Sequence, residues 1–260
     1  MDLGIKDRTA IVCASSRGLG KACATALAAE GVSVVLNGLN KERLEATAEE
    51  IRRATGSTVI AVQANINTED GRKTLVAAAP QADILINNNA GPEPGKFMDY
   101  GYEQWNDALE ANFLSAFFMI QALLPGMRQR KFGRIINVAS ALVKSPRASH
   151  MTLSIATRTA LVAACKAMSR DVVVDNVTIN NLLPERIDTD RQRFMAERMM
   201  KESNISMEEA YRRMADSLPA KRLGTPEEFG AACAFLCGAQ SGFINGQHLQ
   251  LDGGGYVGLI

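Results

Sequence analysis

The sequence predicts an α/β domain: a doubly wound, seven-stranded parallel sheet with helices on both faces. Three observations predict it. Short apolar segments alternate with helical ones along the whole chain. The apolar segments are continuous runs rather than alternating ones, so both faces of each strand must be covered, as in a parallel sheet between helical layers. The turn between the first strand and the first helix is built of small residues, as at the carboxyl edge of such a sheet.

In chain order, residues 9–13 (TAIVC) are the first strand, and residues 19–30 are an Ala-rich helix that ends before Gly31. Residues 32–36 are the second strand, and 41–54 a charged amphipathic helix stopped near Gly56. Residues 58–62, 68–79 and 83–86 read as strand, helix and strand. The second half has longer helices. Residues 102–128 form one long helical pattern ending around Pro125 and Gly126. Residues 134–138 are the fifth strand, 150–172 a long helix, and 177–183 the sixth strand, closed by Pro184. Residues 190–217 are polar, Met-rich and helical, within an insertion around 186–217 that reads as a substrate lid with an adaptable apolar wall. Asp188 and Asp190 read as caps of its first helix. Residues 225–237 are a helix with Thr225 as N-cap and Pro226 at its first position. Residues 247–251 are the seventh strand. No linker or repeat divides the chain, so residues 1–260 make a single domain.

Composition excludes several function classes. Basic and acidic residues number 29 and 28, so no charge excess marks a nucleic-acid partner. The start of the chain lacks the cationic and apolar regions of a secretion signal. The most apolar stretch, 111–127, is interrupted by Asn112, Ser115 and Gln121, too short and too polar for a bilayer. Five cysteines, an odd number without metal spacing, suggest reduced packing thiols in a cytoplasmic protein. Aromatics are sparse, with four tyrosines: Tyr100, Tyr102, Tyr211 and Tyr256.

The small-residue turn is Cys13-Ala-Ser-Ser-Arg-Gly-Leu-Gly20. Small side chains there let backbone approach a pyrophosphate, and the helix N-terminus supplies aligned N–H donors. Ala14 stands where such loops usually carry glycine; if the position needs φ > 0, alanine is strained.

Together with Asn89-Ala90-Gly91, Asn112 in Ala-Asn-Phe, Ser140 in Asn-Val-Ala-Ser, the 180–185 segment and the 244–254 ending, this loop resembles the short-chain dehydrogenase/reductase family, with its Rossmann-like fold, over essentially the whole chain. The resemblance is to members like 3-oxoacyl-carrier-protein reductase. Glu185 replaces the glycine of the family's Asn-x-x-x-Pro-Gly segment. The resemblance implies a nicotinamide nucleotide held by Ser15, Ser16, Arg17, Gly18, Leu19 and Gly20 at the phosphates. It puts Asn65 and Ile66 at the adenine, Asn89, Ala90 and Gly91 beside the adenosine ribose, and Ile187 near the carboxamide. The residues after the second strand, Asn37-Gly38-Leu39-Asn40, contain no carboxylate for the adenosine ribose, while Arg17, Lys41 and Arg43 lie nearby. That favours NADP over NAD.

The family's chemistry uses a Tyr and, one helical turn on, a Lys, supported by a Ser that polarises the substrate oxygen and an Asn that holds a water. Ser140 and Asn112 match the supporting pair. The helix His150-Met-Thr-Leu-Ser-Ile-Ala-Thr-Arg-Thr-Ala160 contains neither Tyr nor Lys. Matching the helix puts Ser154 and Arg158 at the two positions; a register one residue earlier gives Leu153 and Thr157. Serine is far less acidic than a phenol, and an arginine is a poor proton donor but can stabilise an oxyanion. His150, four residues before Ser154, is a further acid/base candidate if the helix starts early enough. His248, within the last strand, reads as a packed core residue. The leading expectation is an NADP-dependent oxidoreductase acting on a ketone or secondary alcohol, such as a 3-oxoacyl thioester or a sugar, with a non-standard proton path. The alternatives are a non-catalytic nucleotide-binding protein and a non-redox enzyme on the same scaffold. The resemblance also implies a homotetramer.

Overall fold

The computed structural model describes residues 2–259. Seven parallel strands form one sheet: β1 (Thr9–Val12), β2 (Ser33–Gly38), β3 (Val59–Gln63), β4 (Ile84–Asn87), β5 (Gly133–Val138), β6 (Val177–Pro184) and β7 (His248–Leu251). Their order is β3-β2-β1-β4-β5-β6-β7, as the doubly wound reading expects. The order reverses between β1 and β4, where loops diverge to opposite faces and leave a crevice at the carboxyl ends of the strands.

Successive residues of each strand feed different cores. Ala10, Val12, Val34, Leu36, Ile84 and Ile86 pack with α1 (Gly18–Ala29), α2 (Lys41–Thr55) and α9 (Pro226–Cys237). Ile11, Val35, Leu85, Ile135 and Ile179 pack on the other face with α3 (Glu69–Ala78), α5 (Ser115–Gln129) and α6 (Thr152–Val172). This is why the strands read as unbroken apolar runs. All five cysteines are free and buried. Burial raises the Cys13 and Cys165 thiols to about 12, so they are packing groups rather than nucleophiles.

Local signals set the helix ends. Asn40 caps α2 by accepting from the Arg43 N–H at 2.8 Å, and Gly56 ends it with φ +72°. Thr225 and Glu228 form a reciprocal capping box at the start of α9, with Pro226 at its first position.

Three expectations change. The long central helix does not end near Pro125. It runs from α4 (Tyr102–Leu109) through a π-helical turn (Glu110–Leu114) and α5 to Gln129. Pro125 and Gln121, whose carbonyl loses its partner, both lie on the exposed side, so water can replace the missing bond. By length and composition Tyr102–Gln129 could cross a membrane, contrary to the expectation of too short a segment, yet Met119, Ile120, Leu123 and Met127 pack in the core under the sheet. Helix α6 begins only at Thr152; His150 lies in the 3-10 turn before it (Ser149–Met151) and is exposed. It therefore does not join Ser154 and Arg158 on one helical face.

The insertion is α7 (Asp190–Ser203) and α8 (Met207–Asp216). Met195, Met199, Met207 and Met214 pack with Ala196, Ala210 and Tyr211 into a small core of their own. The methionines hold the two helices together rather than forming an apolar wall. Neither aspartate caps α7: its N-cap is Thr189, without a side-chain bond, and Asp190 lies in the first turn.

Arg134 on β5 is fully buried and lies against the Phe132 ring. Its guanidinium donates to the carbonyls of Gly133, Asn176 and Gly238 at 2.8–3.1 Å. Arg134→Leu would strip a buried donor from all three carbonyls, although the Asn176 carbonyl keeps the Gly133 N–H and the Gly238 carbonyl keeps Ser241. It is expected to lower stability by about 3 kcal/mol, read as a lower urea midpoint; an unchanged midpoint would show that water reaches those carbonyls.

Candidate active site

The loop after β1 is locked before it reaches any ligand. Ala14 has φ +44°, a left-handed conformation unusual for alanine, so the strain considered from the sequence is present. Asn37 holds it there: Asn37 Oδ1 accepts from the Ala14 N–H at 3.2 Å, and Asn37 Nδ2 donates to the Ala64 carbonyl at 2.9 Å. Ser15 is fully buried and donates to the Val12 carbonyl at 2.7 Å, while its oxygen accepts from the Asn37 N–H. Ser15 thus braces the loop through its side chain. Asn88 ties the loop to β4 by donating to the Ala14 carbonyl at 3.1 Å. A Cβ added to Gly20 would lie 2.5 Å from the Ala14 carbonyl oxygen and 2.8 Å from Ser15 Cα. Only glycine lets α1 sit this close to the loop, and the first N–H groups of a helix have no intrahelical acceptor, an arrangement suited to an anion.

Around this cradle, Arg17 pairs with Asp190 of α7 at 2.9 Å, both side chains being exposed. Lys41 and Arg43 stand on the exposed first turn of α2. Ser16 is buried, and its carbonyl accepts from Thr47 at 2.9 Å. Beyond β3, Asn65 is exposed and Ile66 buried. Asn89 bridges to Asn67 at 2.7 Å and to the Ala111 carbonyl at 2.9 Å, and Ala90 and Gly91 follow it at the crevice. Ile187, buried, closes the other side by bridging to Gly224.

Ser154 and Arg158 lie one turn apart on α6 and meet. Arg158 Nε donates to Ser154 Oγ at 3.2 Å, and Arg158 Nη1 to the Val138 carbonyl at 2.8 Å. A Cβ on Gly91 would lie 3.5 Å from Arg158 Nη2, so the third nitrogen reaches the loop after β4. Leu153 and Thr157, the other register, are buried, and Thr157 donates to the Leu153 carbonyl. Burial, reinforced by the Arg191 charge, lowers Arg158 to about 10. Arg158 remains a cation at neutral pH, yet far closer to releasing its proton than an ordinary guanidinium.

Asn112 sits in the π-helical turn, a distortion common at functional sites. Its Nδ2 reaches the Ala108 carbonyl at 3.4 Å, while its buried Oδ1 has no partner among the described residues. Asn112, Arg158, Asn89 and Ile66 line one cavity of about 10 Å³, the space of a single water. Ser140 stands two residues past Val138; its oxygen accepts from the Leu142 N–H at 3.2 Å and caps a short turn, leaving its own proton to donate. The fold thus gathers Ser154, Arg158, Asn112, Asn89 and Gly91, with Ser140 at the adjoining strand end.

Several contributors were not apparent in the sequence. Arg191 and Arg198 of α7 donate to the carbonyls of Pro92 and Pro94, fastening the helix over the loop after β4. Glu185, at the family's glycine position, pairs with Arg147 at 2.8 Å. Asn37 and Asn88 could have been noticed only as asparagines at strand ends.

A family described as enoyl-(acyl carrier protein) reductase matches residues 13–255. This chain belongs to the short-chain dehydrogenase/reductase family. Among its curated relatives is the NADPH-dependent reductase BacG of Bacillus subtilis, 33% identical over 252 residues, covering 95% of this chain and 97% of the relative. The 3-oxoacyl-[acyl-carrier-protein] reductase FabG of Aquifex aeolicus is 26% identical over 98% of this chain and 99% of its own. The solved L-sorbose reductase of Gluconobacter frateurii, complexed with NADPH and L-sorbose, superposes with a TM-score of 0.94 at 29% identity over 100% of both chains. The family is one of oxidoreductases, in agreement with the expectation from the motifs.

The strain at Ala14 is directly testable. Ala14→Gly is expected to stabilise the fold by up to about 1 kcal/mol, because only glycine adopts this conformation freely. Urea denaturation measures it; a lowered midpoint would mean that the alanine methyl's packing outweighs the strain.

Proposed function

We propose that this chain is an NADP(H)-dependent reductase of a small ketone, reversible toward the secondary alcohol, in which the Ser154–Arg158 pair replaces the family's Tyr and Lys. The contact between Arg158 Nε and Ser154 Oγ carries the reading. The crevice residues fit the nucleotide: the glycine cradle and the α1 N-terminus suit the pyrophosphate, and Arg17, Lys41 and Arg43 suit a 2′-phosphate where no carboxylate follows β2. Arg158 Nη2, Asn89 and Gly91 suit the nicotinamide ribose end. The names of the relatives support a carbonyl substrate, and L-sorbose in the structural neighbour supports a small polar one.

The bound nucleotide supplies a hydride to the carbonyl carbon. The chain's residues manage the oxygen. Ser140 and Ser154 donate hydrogen bonds to it, and Ser154 gives its proton as the alkoxide forms. Arg158 donates to Ser154 Oγ and stabilises the serine oxygen at that moment, a preorganised charge in a buried site. Asn112 Oδ1 is an acceptor for a water that returns the proton from solvent. Because Arg158 must be protonated to do this, its help is present below about pH 10 and is lost as pH rises through that value. Helices α7 and α8 serve as the substrate lid; the Arg17–Asp190 pair joins that lid to the phosphate loop.

The chain is further proposed to be a cytoplasmic homotetramer. Exposed Phe235, Phe243 and Leu249 around α9 and β7, and Phe118, Val173 and Val174 around α5 and α6, offer two apolar faces.

Ser154→Ala is expected to lower kcat for reduction about 10²-fold or more while leaving NADPH affinity nearly unchanged. Stopped-flow oxidation of NADPH against a panel of small ketones measures it. An undiminished kcat would remove Ser154 from the proton path, and tight NADPH binding by the wild-type protein without turnover on any ketone would favour a nucleotide-binding protein that does no chemistry. For the assembly, solution scattering at micromolar concentration should return four times the 28.0 kDa chain mass; a monomer mass contradicts it.

A further inference from the structure

Four polar side chains cross the sheet side by side. Asn87, Asn137, Asn181 and His248 are register partners on β4, β5, β6 and β7. Asn87 Nδ2 donates to Asn137 Oδ1 at 2.9 Å, and Asn137 Nδ2 donates to Asn181 Oδ1 at 3.0 Å. Asn181 Nδ2 lies 3.0 Å from Nδ1 of His248. The three asparagines are buried, and His248 is half-buried on the last strand. Every amide points the same way, with its amino group toward β7 and its oxygen toward β4. At the β4 end Asn87 Oδ1 is buried without a partner among the described residues. Asn87 lines the same small cavity as Asn112 and Arg158.

Such a row has only two self-consistent directions. An amide carries donors on one side and an acceptor on the other, so turning one member alone sets amino against amino or oxygen against oxygen. The direction must be chosen at an end. We infer that His248 is a positioning residue for the cofactor cavity: its Nδ1, acting as an acceptor, fixes the direction of the ladder and so presents Asn87 Oδ1, rather than the amino group, at the β4 end of the row, where Asn87 lines the cavity that Arg158 also lines. An oxygen there can accept from a water held in the cavity. An amino group there would offer only a donor.

This role requires an unprotonated Nδ1, with the ring proton on Nε2. The charged groups that bear on the ring are Lys166 of α6 and Lys144, which follows the turn after β5. Burial first, then these two cations, push His248 below its ordinary value against a backbone bond to Gln247, so the ring is neutral at neutral pH, and the Asn181 amino group facing Nδ1 pairs with the tautomer that carries its proton on Nε2. In acid, Nδ1–H confronts the Asn181 amino group. Reversing all three amides relieves that conflict and carries the change to the cavity. The inference does not depend on which residue delivers the proton to substrate.

Two readouts test it on the full-length protein. Side-chain amide NMR follows the Asn87 and Asn181 amino groups and the His248 ring between pH 7.5 and 5, and NADPH fluorescence gives the affinity over the same range. The Asn87 resonances should shift with the apparent pKa of His248, and NADPH affinity should weaken about tenfold through that titration. His248→Gln supplies an oxygen that accepts from Asn181 at every pH and should abolish both changes. Asn181→Asp, which accepts from Asn137 whatever the state of His248, should do the same and serves if the glutamine variant does not fold. Asn87 resonances that ignore the His248 titration, or an acid loss of NADPH affinity that persists in either variant, would overturn the inference.

Discussion

A sheet covered on both faces has one constraint from which the rest of this molecule follows: polar groups can meet a ligand only at its edges. Val12, Leu36, Ile86 and Val138 are the last apolar layer on their strands. Within a few residues past them the chain turns polar, with Ser15, Asn37, Asn88, Asn89 and Ser140. These loops contain backbone donors and acceptors that a buried setting would leave costly. The chain satisfies them with short amides. Asn37 serves the Ala14 N–H and the Ala64 carbonyl, Asn88 the Ala14 carbonyl, and Asn89 the Ala111 carbonyl. The crevice is rigid because its loops are bonded to one another before anything enters it, and rigidity is what makes oriented N–H groups useful to an anion.

The same constraint explains the partners that Arg158 has. A buried cation needs acceptors, and Arg158 finds Ser154 Oγ and the Val138 carbonyl, one nitrogen each, leaving Nη2 directed at the loop after β4. A lysine has a compact charge on a flexible stem, whereas a guanidinium is a planar fork that can hold a serine, a strand end and a ribose together. A serine beside it is shorter than a tyrosine, so the guanidinium must extend to it. Ser154 and Arg158 therefore form a hydrogen-bonded pair on one helical face.

The layered fold was legible in the sequence because burial on two faces writes itself as unbroken apolar runs, and because Asn40, Gly56, Thr225 and Pro226 mark helix ends by local chemistry. What was not legible depended on tertiary context. Pro125 reads as a stop, but its exposure lets the helix continue. The methionines of α7 and α8 read as an adaptable wall, but two polar helices with few other apolar residues need them for their own contact. The candidate site was legible as motifs and less so as roles. Ser15 lies in the glycine loop by position, and its side chain bonds the Val12 carbonyl and the Asn37 N–H. Asp190 reads as a cap, yet its carboxylate meets Arg17 from a distant loop, a pairing no local pattern announces.

The polar ladder shows a further kind of information that one-dimensional reading misses. Asn87, Asn137, Asn181 and His248 are each unremarkable in their own strands, and an asparagine inside an apolar run reads as a defect. Only the strand register makes them neighbours. In a parallel sheet, residues at one level stay at one level across every strand, so four isolated polar residues become one hydrogen-bonded row. Its cost is low because each bond satisfies two groups, and the imbalance collects at the ends: an imidazole near solvent and an oxygen without a partner among the described residues. A buried row whose unsatisfied atom belongs to a residue lining the same cavity as Arg158 can carry a choice of direction from one end to the other, and the far end is a group able to titrate.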